Sequence, residues 1–491
     1  MRAVDSWAIE TRGVPSLDLM ETAGLAVAAA AAEEARSKRA VVVCGKGNNG
    51  GDGLVAARAL ARTGFEVETL LLWPADELSK DASANLERLD GRARETGGGE
   101  LPAALDGAGV VVDAVFGTGF SGEPRDPAAT AIDAINVCGA PVVAEDIASG
   151  VNASSGETDG AAVEAAITVS FHAAKVGHWI SPGKIHTGRL IVVPIGIPDG
   201  APGDGAAGLI DESVLDALPR RGAESTKFSS GQVVVVGGSR GLTGAVCLSA
   251  SAAIRTGAGY ATVAVPAELE QIFEVKLTEV MSVGCASREG RLRRAASEQI
   301  MEVTDGAAAV VLGPGIGRQD GTRDLVRDLA SRIETALVID ADGLYAHNGR
   351  IRKLTERDAP TVLTPHEGEL ARLLEVDSGE VKAERLATAR RAAEESGAIV
   401  VLKGDDTIVT DGERVAINRG GSSALATAGT GDVLSGMTGA ILGRGMDPFA
   451  GACAAVLAHS NAGRVAAERV GVVESVIAGD VVDAIPAGLR R

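Results

Sequence analysis

Ala40-Val41-Val42-Val43-Cys44-Gly45-Lys46-Gly47-Asn48-Asn49-Gly50-Gly51-Asp52-Gly53 is the stretch whose reading decides the fold of the first half. Its opening run is short and continuously apolar, the mark of a strand buried on both faces of a parallel sheet. A glycine-rich turn follows, and then an apolar helix predicted from Leu54 to Thr63. Outward from this stretch the same alternation holds. A helix rich in Ala and Leu is predicted from Ser16 to Ala35. Strands are predicted at Glu66 to Trp73, Gly109 to Val115, Ala140 to Asp146, Ala165 to Ser170 and Arg189 to Pro194. The first half therefore reads as a doubly wound α/β domain that binds ligands at the carboxyl ends of its strands.

Gly45, Gly47 and Gly50 formally satisfy Gly-x-Gly-x-x-Gly, with Glu66 and Glu68 about twenty residues on, as a dinucleotide fingerprint asks. That fingerprint needs small residues beside the pyrophosphate. This loop carries Lys46, Asn48, Asn49 and Asp52 instead, which suits a reactive or ion-binding pocket; an NAD-dependent dehydrogenase stays the alternative. Two further strands end in the same style, at Asp113 before Ala114-Val115-Phe116-Gly117-Thr118-Gly119-Phe120 and at Asp146 before Ile147-Ala148-Ser149-Gly150. One such carboxylate is ordinary turn chemistry. Three strand ends with Asn or Asp, bound for one edge of one sheet, point to a site. Lys175, after Ser170-Phe171-His172-Ala173-Ala174, reads as a solvated lysine, with a place in the pocket as the alternative.

These motifs, with Leu19-Met20-Glu21-Thr22-Ala23-Gly24 ahead of them and Ile195-Gly196-Ile197-Pro198 behind, resemble the NAD(P)H-hydrate epimerase family. The resemblance implies that Asn48, Asn49, Gly50, Gly51 and Asp52 wrap the substrate together with Gly117, Thr118, Gly119, Phe120, Ser121, Gly122 and Glu123. It also implies that Asn49, Asp113 and Ser149 give oxygens to a potassium ion, a hard and weakly charged cation. Asp146 is then the substrate-binding acid/base at the hydrated carbon of the nicotinamide ring. One position departs: Ala148 stands where the family usually has proline.

Pro198 to Gly208 has almost no apolar bulk and reads as a linker, so residues 1–205 and 206–491 are expected to be separate domains. After a helix predicted at Glu212 to Leu218, a second α/β series begins. Its strands are predicted at Gln232 to Val236, Tyr260 to Val265, Ala307 to Leu312, Ala336 to Asp340, Pro360 to Leu363 and Ala398 to Leu402, with a helix from Ala245 to Thr256. Motifs of the first half do not recur. Near the end, Gly429-Thr430-Gly431-Asp432 enters an apolar helix predicted from Val433 to Leu442. Small residues there aim backbone N–H groups into one concavity, an anion nest at the positive end of the helix dipole. A carboxylate beside that nest makes sense if Asp432 takes the proton of a hydroxyl attacking a phosphoryl group. The plain alternative is a helix cap. His366, in Thr364-Pro365-His366-Glu367-Gly368-Glu369, reads first as a cap as well. Lys403, at the end of Ile399-Val400-Val401-Leu402, is either solvated or phosphate-binding, and no Gly-x-x-x-x-Gly-Lys-Ser/Thr is present.

Strand-Lys403-Gly404, a hairpin at Thr407 to Ala416, Asn418 and the Gly-Thr-Gly-Asp helix resemble the ribokinase-like fold. With Gly237-Gly238-Ser239 and Gly313-Pro314-Gly315, they resemble the ADP- or ATP-dependent NAD(P)H-hydrate dehydratases. The resemblance implies that Lys403, Gly404, Asp405, Asp406, Thr407 and Gly431 hold an adenosine nucleotide, ADP favoured over ATP, with Mg²⁺ on its phosphates. Ala245, Gly315, His366 and Asp432 would meet the hydrated nicotinamide nucleotide. The expected fold class is two three-layer αβα domains, an N-terminal Rossmann-like doubly wound sheet and a C-terminal ribokinase-like domain. The expected activity is repair of hydrated NADH and NADPH (NADHX and NADPHX): epimerisation of the R and S forms, then nucleotide-dependent dehydration of the S form. The alternative is a ribokinase-like vitamin or sugar kinase fused to a non-catalytic nucleotide-binding domain.

A net charge of −19 and 2% aromatic residues argue against a nucleic-acid partner and its stacking platforms. No apolar run reaches membrane length. Cys44, Cys138, Cys247, Cys285 and Cys453 contain no Cys-x-x-Cys pair and read as buried thiols. A cytoplasmic homo-oligomer with small-molecule partners is expected.

Overall fold

A computed structural model describes residues 2–203 and 205–490. Met1 and Arg491, at the ends of the expected domains, and Asp204 of the expected linker lie outside the described residues. The chain divides into two compact units, Met1–Asp204 and Gly205–Arg491.

The first unit is built on β1 (Arg39–Cys44), β2 (Glu66–Leu71), β3 (Ala93–Glu95), β4 (Val110–Ala114), β5 (Val142–Glu145), β6 (Ile167–Phe171) and β7 (Arg189–Val193). All pairs are parallel, in the order β3-β2-β1-β4-β5-β6-β7. Both faces are covered. Val42, Cys44 and Val112 pack under helices Ser16–Glu34 and Asn48–Arg62, and Val41, Val43 and Val111 pack against Leu101, Leu105, Ile132 and Ile135. The winding direction reverses between β1 and β4, which opens a crevice at their carboxyl ends.

Two details differ from expectation. Strand β3 was not foreseen, because Ala93-Arg94-Glu95 is a short, largely exposed edge. The helix after β1 starts at Asn48 rather than Leu54. Its glycines weaken a helix locally, but no side chain fits in their place. A Cβ on Gly50 would lie 1.9 Å from the Gly45 carbonyl oxygen, one on Gly51 2.6 Å from Met20 Sδ, and one on Gly53 2.5 Å from Ala114 Cβ.

The second unit carries β8 (Ala207–Leu209), β9 (Gln232–Val236), β10 (Tyr260–Pro266), β11 (Met281–Cys285), β12 (Ala309–Leu312), β13 (Ala336–Ile339), β14 (Thr361–Leu363), β15 (Ile399–Leu402), β16 (Ile408–Thr410) and β17 (Val415–Ile417). The order is β11-β10-β9-β12-β13-β14-β15-β16-β17-β8. It is parallel from β11 to β15, then closes with an antiparallel hairpin. The end of the expected linker is strand: Ala207, Gly208 and Leu209 pair with Val415, Ala416 and Ile417. This covers a hairpin edge whose backbone groups would otherwise stay open. The helix predicted at Glu212 to Leu218 is a 3₁₀ stretch, Glu212–Ala217. Helices Thr243–Thr256 and Thr430–Gly443 cross so closely that a Cβ on Gly436 would meet the Ser249 carbonyl oxygen at 2.0 Å. A second reversal, between β9 and β12, brings Gly237 to Ser239 beside Gly313 to Gly315. All five cysteines are free, but Cys138 and Cys247 are only half-buried, contrary to expectation.

Candidate active sites

In the first unit a cavity of about 650 Å³ opens where the strand order reverses. Asn48, Asn49, Asp52, the run from Gly117 to Ser121, and Asp146 lie on its wall. Gly50 and Gly51 do not, since they serve the helix packing, and Gly122 and Glu123 fall outside it. Phe120 was among the expected residues, whereas Trp73 and Phe116, also on this wall, were missed. Phe116 stacks on Phe120 with ring centroids 4.5 Å apart, and Trp73 tilts onto Phe116 at 6.1 Å. Aromatic residues are few in this chain, yet here they form a local wall suited to a flat ring.

Asp146 follows β5 directly with φ at +62°, and the Ile147 N–H closes a tight turn on the Glu145 carbonyl at 2.6 Å. Such strain persists only where surrounding contacts impose it. The Asp146 carboxylate accepts from the Phe171 N–H at 3.2 Å and forms an ion pair with Lys175. The solvated reading of Lys175 fails. Its ammonium is buried and also donates to Ser170 Oγ at 2.9 Å and the Phe171 carbonyl at 3.0 Å. His178 Nδ1 accepts the Lys175 N–H at 3.0 Å, which leaves the proton on Nε2, and Nε2 donates to the Asp146 carbonyl at 3.0 Å. Burial and the Lys175 charge push His178 down to about 4, so the ring is neutral and clamps the Asp146 backbone.

Asp113 is fully buried. It accepts from Ser149 Oγ at 2.6 Å, the Ser149 N–H at 2.9 Å and the Val115 N–H at 3.3 Å. Burial raises it to about 6 against the pull of those hydrogen bonds. Ser149 Oγ in turn accepts from the Phe116 N–H at 2.8 Å. Asn49 sits against Gly117, where an added Cβ would lie 2.7 Å from Asn49 Oδ1, and its Nδ2 is buried without a partner. The oxygens of Asp113, Ser149 and Asn49, with one negative charge among them, fit a monovalent hard cation better than a tight divalent site.

In the second unit helix Thr430–Gly443 starts after Gly429 (φ +94°) with no side-chain cap. Its first N–H groups are available to an anion. Asp432 is the third helical residue rather than the cap, so the capping alternative fails. Burial, reinforced by Asp340, Asp342 and Glu369 and opposed by Lys403, pushes Asp432 up to about 7. Lys403 is not solvated either. Its ammonium lies 3.1 Å from Asp340 Oδ1 and 3.7 Å from Glu369 Oε2, and a Cβ on Gly431 would lie 3.4 Å from it. Burial pulls Lys403 down, but Asp340 and Glu369 more than offset it, and the ammonium stays charged.

His366 caps helix Glu367–Leu374. Its Nδ1 accepts the Gly368 N–H at 3.1 Å, and Glu369 Oε2 accepts the His366 N–H at 2.9 Å. Of the Lys403–Thr407 loop, Gly404 and Asp405 are exposed, while Asp406 and Thr407 turn inward. Asp406 pairs at 3.0 Å with Arg385, a fully buried arginine that also pairs with Glu367. Ala245 and Gly315 are neighbours, the Ala245 Cβ lying 3.2 Å from where a Gly315 Cβ would be, and Ser239 Oγ donates to the Gly315 carbonyl at 2.8 Å.

Residues 233–487 match the family described as NAD(P)H-hydrate dehydratase, and residues 16–177 match the YjeF-related protein N-terminus. The chain is 38% identical to a bifunctional NAD(P)H-hydrate repair enzyme Nnr of Moorella thermoacetica, over 100% of this chain and 96% of the relative. It is 37% identical to the protein of that description from Salinibacter ruber, over 99% and 94%, and 33% identical to that from Escherichia coli, over 88% and 81%. A crystal structure of a ribokinase-like superfamily protein from Enterococcus faecalis matches with a TM-score of 0.50 and 25% identity, over 60% of this chain and 98% of that one.

Proposed function

The chain belongs to the bifunctional NAD(P)H-hydrate repair enzymes, and we propose that its two units divide the repair between them. It epimerises the R and S hydrates of NADH and NADPH and dehydrates the S form at the expense of a nucleotide. The first unit is the epimerase and the second the dehydratase.

In the second unit Asp432 takes the proton of the ring hydroxyl as that oxygen attacks the terminal phosphate of ADP or ATP. The open helix end and Lys403 hold the negative charge that gathers on the phosphoryl oxygens. Transfer releases AMP or ADP. Phosphate, a far better leaving group than hydroxide, then departs with the C–O electron pair, the adjoining ring carbon gives up a proton, and the reduced ring is restored. The exposed Gly404 and Asp405 face the nucleotide, and Arg385 fixes their loop from beneath. Among the described residues no group of three or more His, Cys, Asp or Glu side chains could hold a metal. Mg²⁺ arriving with the nucleotide would neutralise part of its phosphate charge.

In the first unit Asp146 moves a proton at the hydrated carbon, and the wall of Trp73, Phe116 and Phe120 takes the ring. Asn49, Asp113 and Ser149 would hold a potassium ion, which balances the buried Asp113 charge.

One observation carries the dehydratase reading: a half-buried carboxylate, raised to about 7, at an uncapped helix N-terminus beside a charged lysine. A mixture of R and S hydrate with ADP or ATP, followed by absorbance, is expected to regenerate the reduced nicotinamide with release of orthophosphate. A stable phosphomonoester with no regeneration would instead support a vitamin or sugar kinase.

A further inference from the structure

We propose that Asp52 is the proton donor that works with Asp146 in the epimerisation, the two carboxyl groups acting on one substrate from one cavity wall. The inference rests on the epimerase reading of the first unit. Both side chains line the same cavity. Their surroundings differ. Asp146 is ion-paired to buried Lys175 and is held charged. Asp52, on helix Asn48–Arg62, has no hydrogen bond or ion pair among the described residues. Its charged neighbours are acids: Asp5 on helix Arg2–Ser6, Asp146, and Glu145 on β5. Glu145 is fully buried, with both carboxylate oxygens unpartnered, which only a neutral acid tolerates.

The cations on the cavity wall are engaged elsewhere. Lys175 serves Asp146. Lys46 pairs with Glu77 at 2.9 Å and lies over Trp73. Lys175 also bears on Asp5, as does His172, which is not on the wall, and Asp81 adds a further acid to the wall. Burial, then Asp146 and Asp5, push Asp52 well above the usual carboxylate range; burial, then Asp52, Asp113 and Asp146, do the same to Glu145. Two acids in one pocket, one kept charged and one kept neutral, are the arrangement that general acid–base chemistry needs.

The substrate carbon bears a hydroxyl next to the ring nitrogen and is therefore a hemiaminal. The hydroxyl proton passes to the Asp146 carboxylate as C–O becomes C=O. The C–N bond breaks, its electron pair goes to the ring nitrogen, and Asp52 gives its proton to that nitrogen. Rotation about the adjoining C–C bond turns the other face of the aldehyde to the nitrogen. The reverse steps close the ring, return the nitrogen's proton to Asp52 and give the oxygen the proton held by Asp146. Nothing is oxidised or consumed.

The test uses the full chain, with R and S NADH hydrate and epimer exchange read by NMR across pH. Exchange by the unaltered enzyme is expected to fall at high pH, as Asp52 loses its proton. Asp52→Asn is expected to lower kcat by about a hundredfold or more with KM little changed, and its residual rate no longer falls on the alkaline side. Asp52→Glu restores part of the rate. An infrared difference between the unaltered protein and Asp52→Asn at neutral pH shows the carbonyl band of a protonated carboxyl, whatever the activity of the variant. Unaltered exchange in Asp52→Asn, a retained alkaline fall, or no such band overturns the assignment of Asp52. Absence of exchange in the unaltered enzyme overturns the epimerase reading itself, and Asp52 with it.

Discussion

The ammonium of Lys175 and the carboxylate of Asp146 form an ion pair buried on both sides, with the two side chains 4% and 10% exposed. Breaking such a pair strands a charge away from water, by about 3–5 kcal/mol, whereas removing both partners leaves none to strand. Lys175→Met is therefore expected to lower Tm and abolish epimerisation while the dehydratase keeps its rate. The double variant Lys175→Met/Asp146→Asn is expected to regain most of the lost stability and none of the exchange. Thermal unfolding and NMR exchange on all three proteins check this. If Lys175→Met exchanges epimers normally, the pair is structural only.

Asp432 must be ionised to take a proton, and it is raised to about 7. Dehydration is expected to rise with pH through that value and then level off. Asp432→Asn keeps the size of the side chain but removes the base. It is expected to bind nucleotide nearly as before and to dehydrate at least about a hundredfold more slowly, with the rise near neutrality gone. Stopped absorbance assays across pH decide it, and unaltered turnover in the variant would move the base elsewhere.

The same carboxyl also makes stability depend on pH. Its ordinary value is 3.8 and its folded value about 7, because burial favours the neutral form. Between those two values the unfolded chain has lost the proton and the native protein keeps it, so stability falls as pH rises through the window. Asp432→Asn lacks this penalty. It is expected to be more stable than the parent at pH 8 by about 1 kcal/mol or more, and equal to it below about pH 4. A pH series of denaturant titrations reads the gap; a constant gap would mean that the carboxyl is not raised.

The strands with continuous apolar runs were legible because burial on both faces leaves little choice of residue; β9 is found at Gln232–Val236, as expected. Edge strands were not, since Ala93–Glu95 and Ala207–Leu209 need no apolar face and resemble loop. Asn48 to Gly53 looked like loop because glycine is a poor helix former, and only the closeness of Gly45, Met20 and Ala114 makes it obligatory. The acids at strand ends were legible. Their partners were not: Lys175 and Lys403 meet Asp146 and Asp340 across 29 and 63 residues, and no local pattern encodes such a meeting. Burial of Arg385 escaped for the same reason. The signal available was position, since each of these lysines follows the carboxyl end of a buried strand.

Asp113, Ser149 and Asn49 predict a cation dependence confined to one activity. Replacing potassium by a bulky organic cation is expected to slow epimerisation severalfold and leave dehydration unchanged. Asp113→Ala removes the acceptor of three hydrogen bonds from Ser149 and Val115. It is expected to be slow in either salt. Epimerisation by the parent that ignores the cation would sink the assignment.

Among the described residues, the apolar clusters that cover the two faces of the first sheet contain nothing beyond Ile197, and the cluster that packs helix Thr430–Gly443 on the second sheet begins at Ile210. Separate folding is therefore expected. The place of the cut matters, because Ala207–Leu209 covers the β17 edge. A fragment of residues 1–203 is expected to fold and to exchange epimers without nucleotide. One of residues 205–491 is expected to dehydrate only the S form, stopping when about half of an equal mixture is consumed if spontaneous exchange is slow. A fragment of residues 211–491 retains every dehydratase residue but exposes the strand edge, and is expected to aggregate more readily at the same intrinsic rate. Light scattering and the absorbance assay separate the two effects. If residues 205–491 alone consume both epimers at equal speed, the division of labour between the units is excluded.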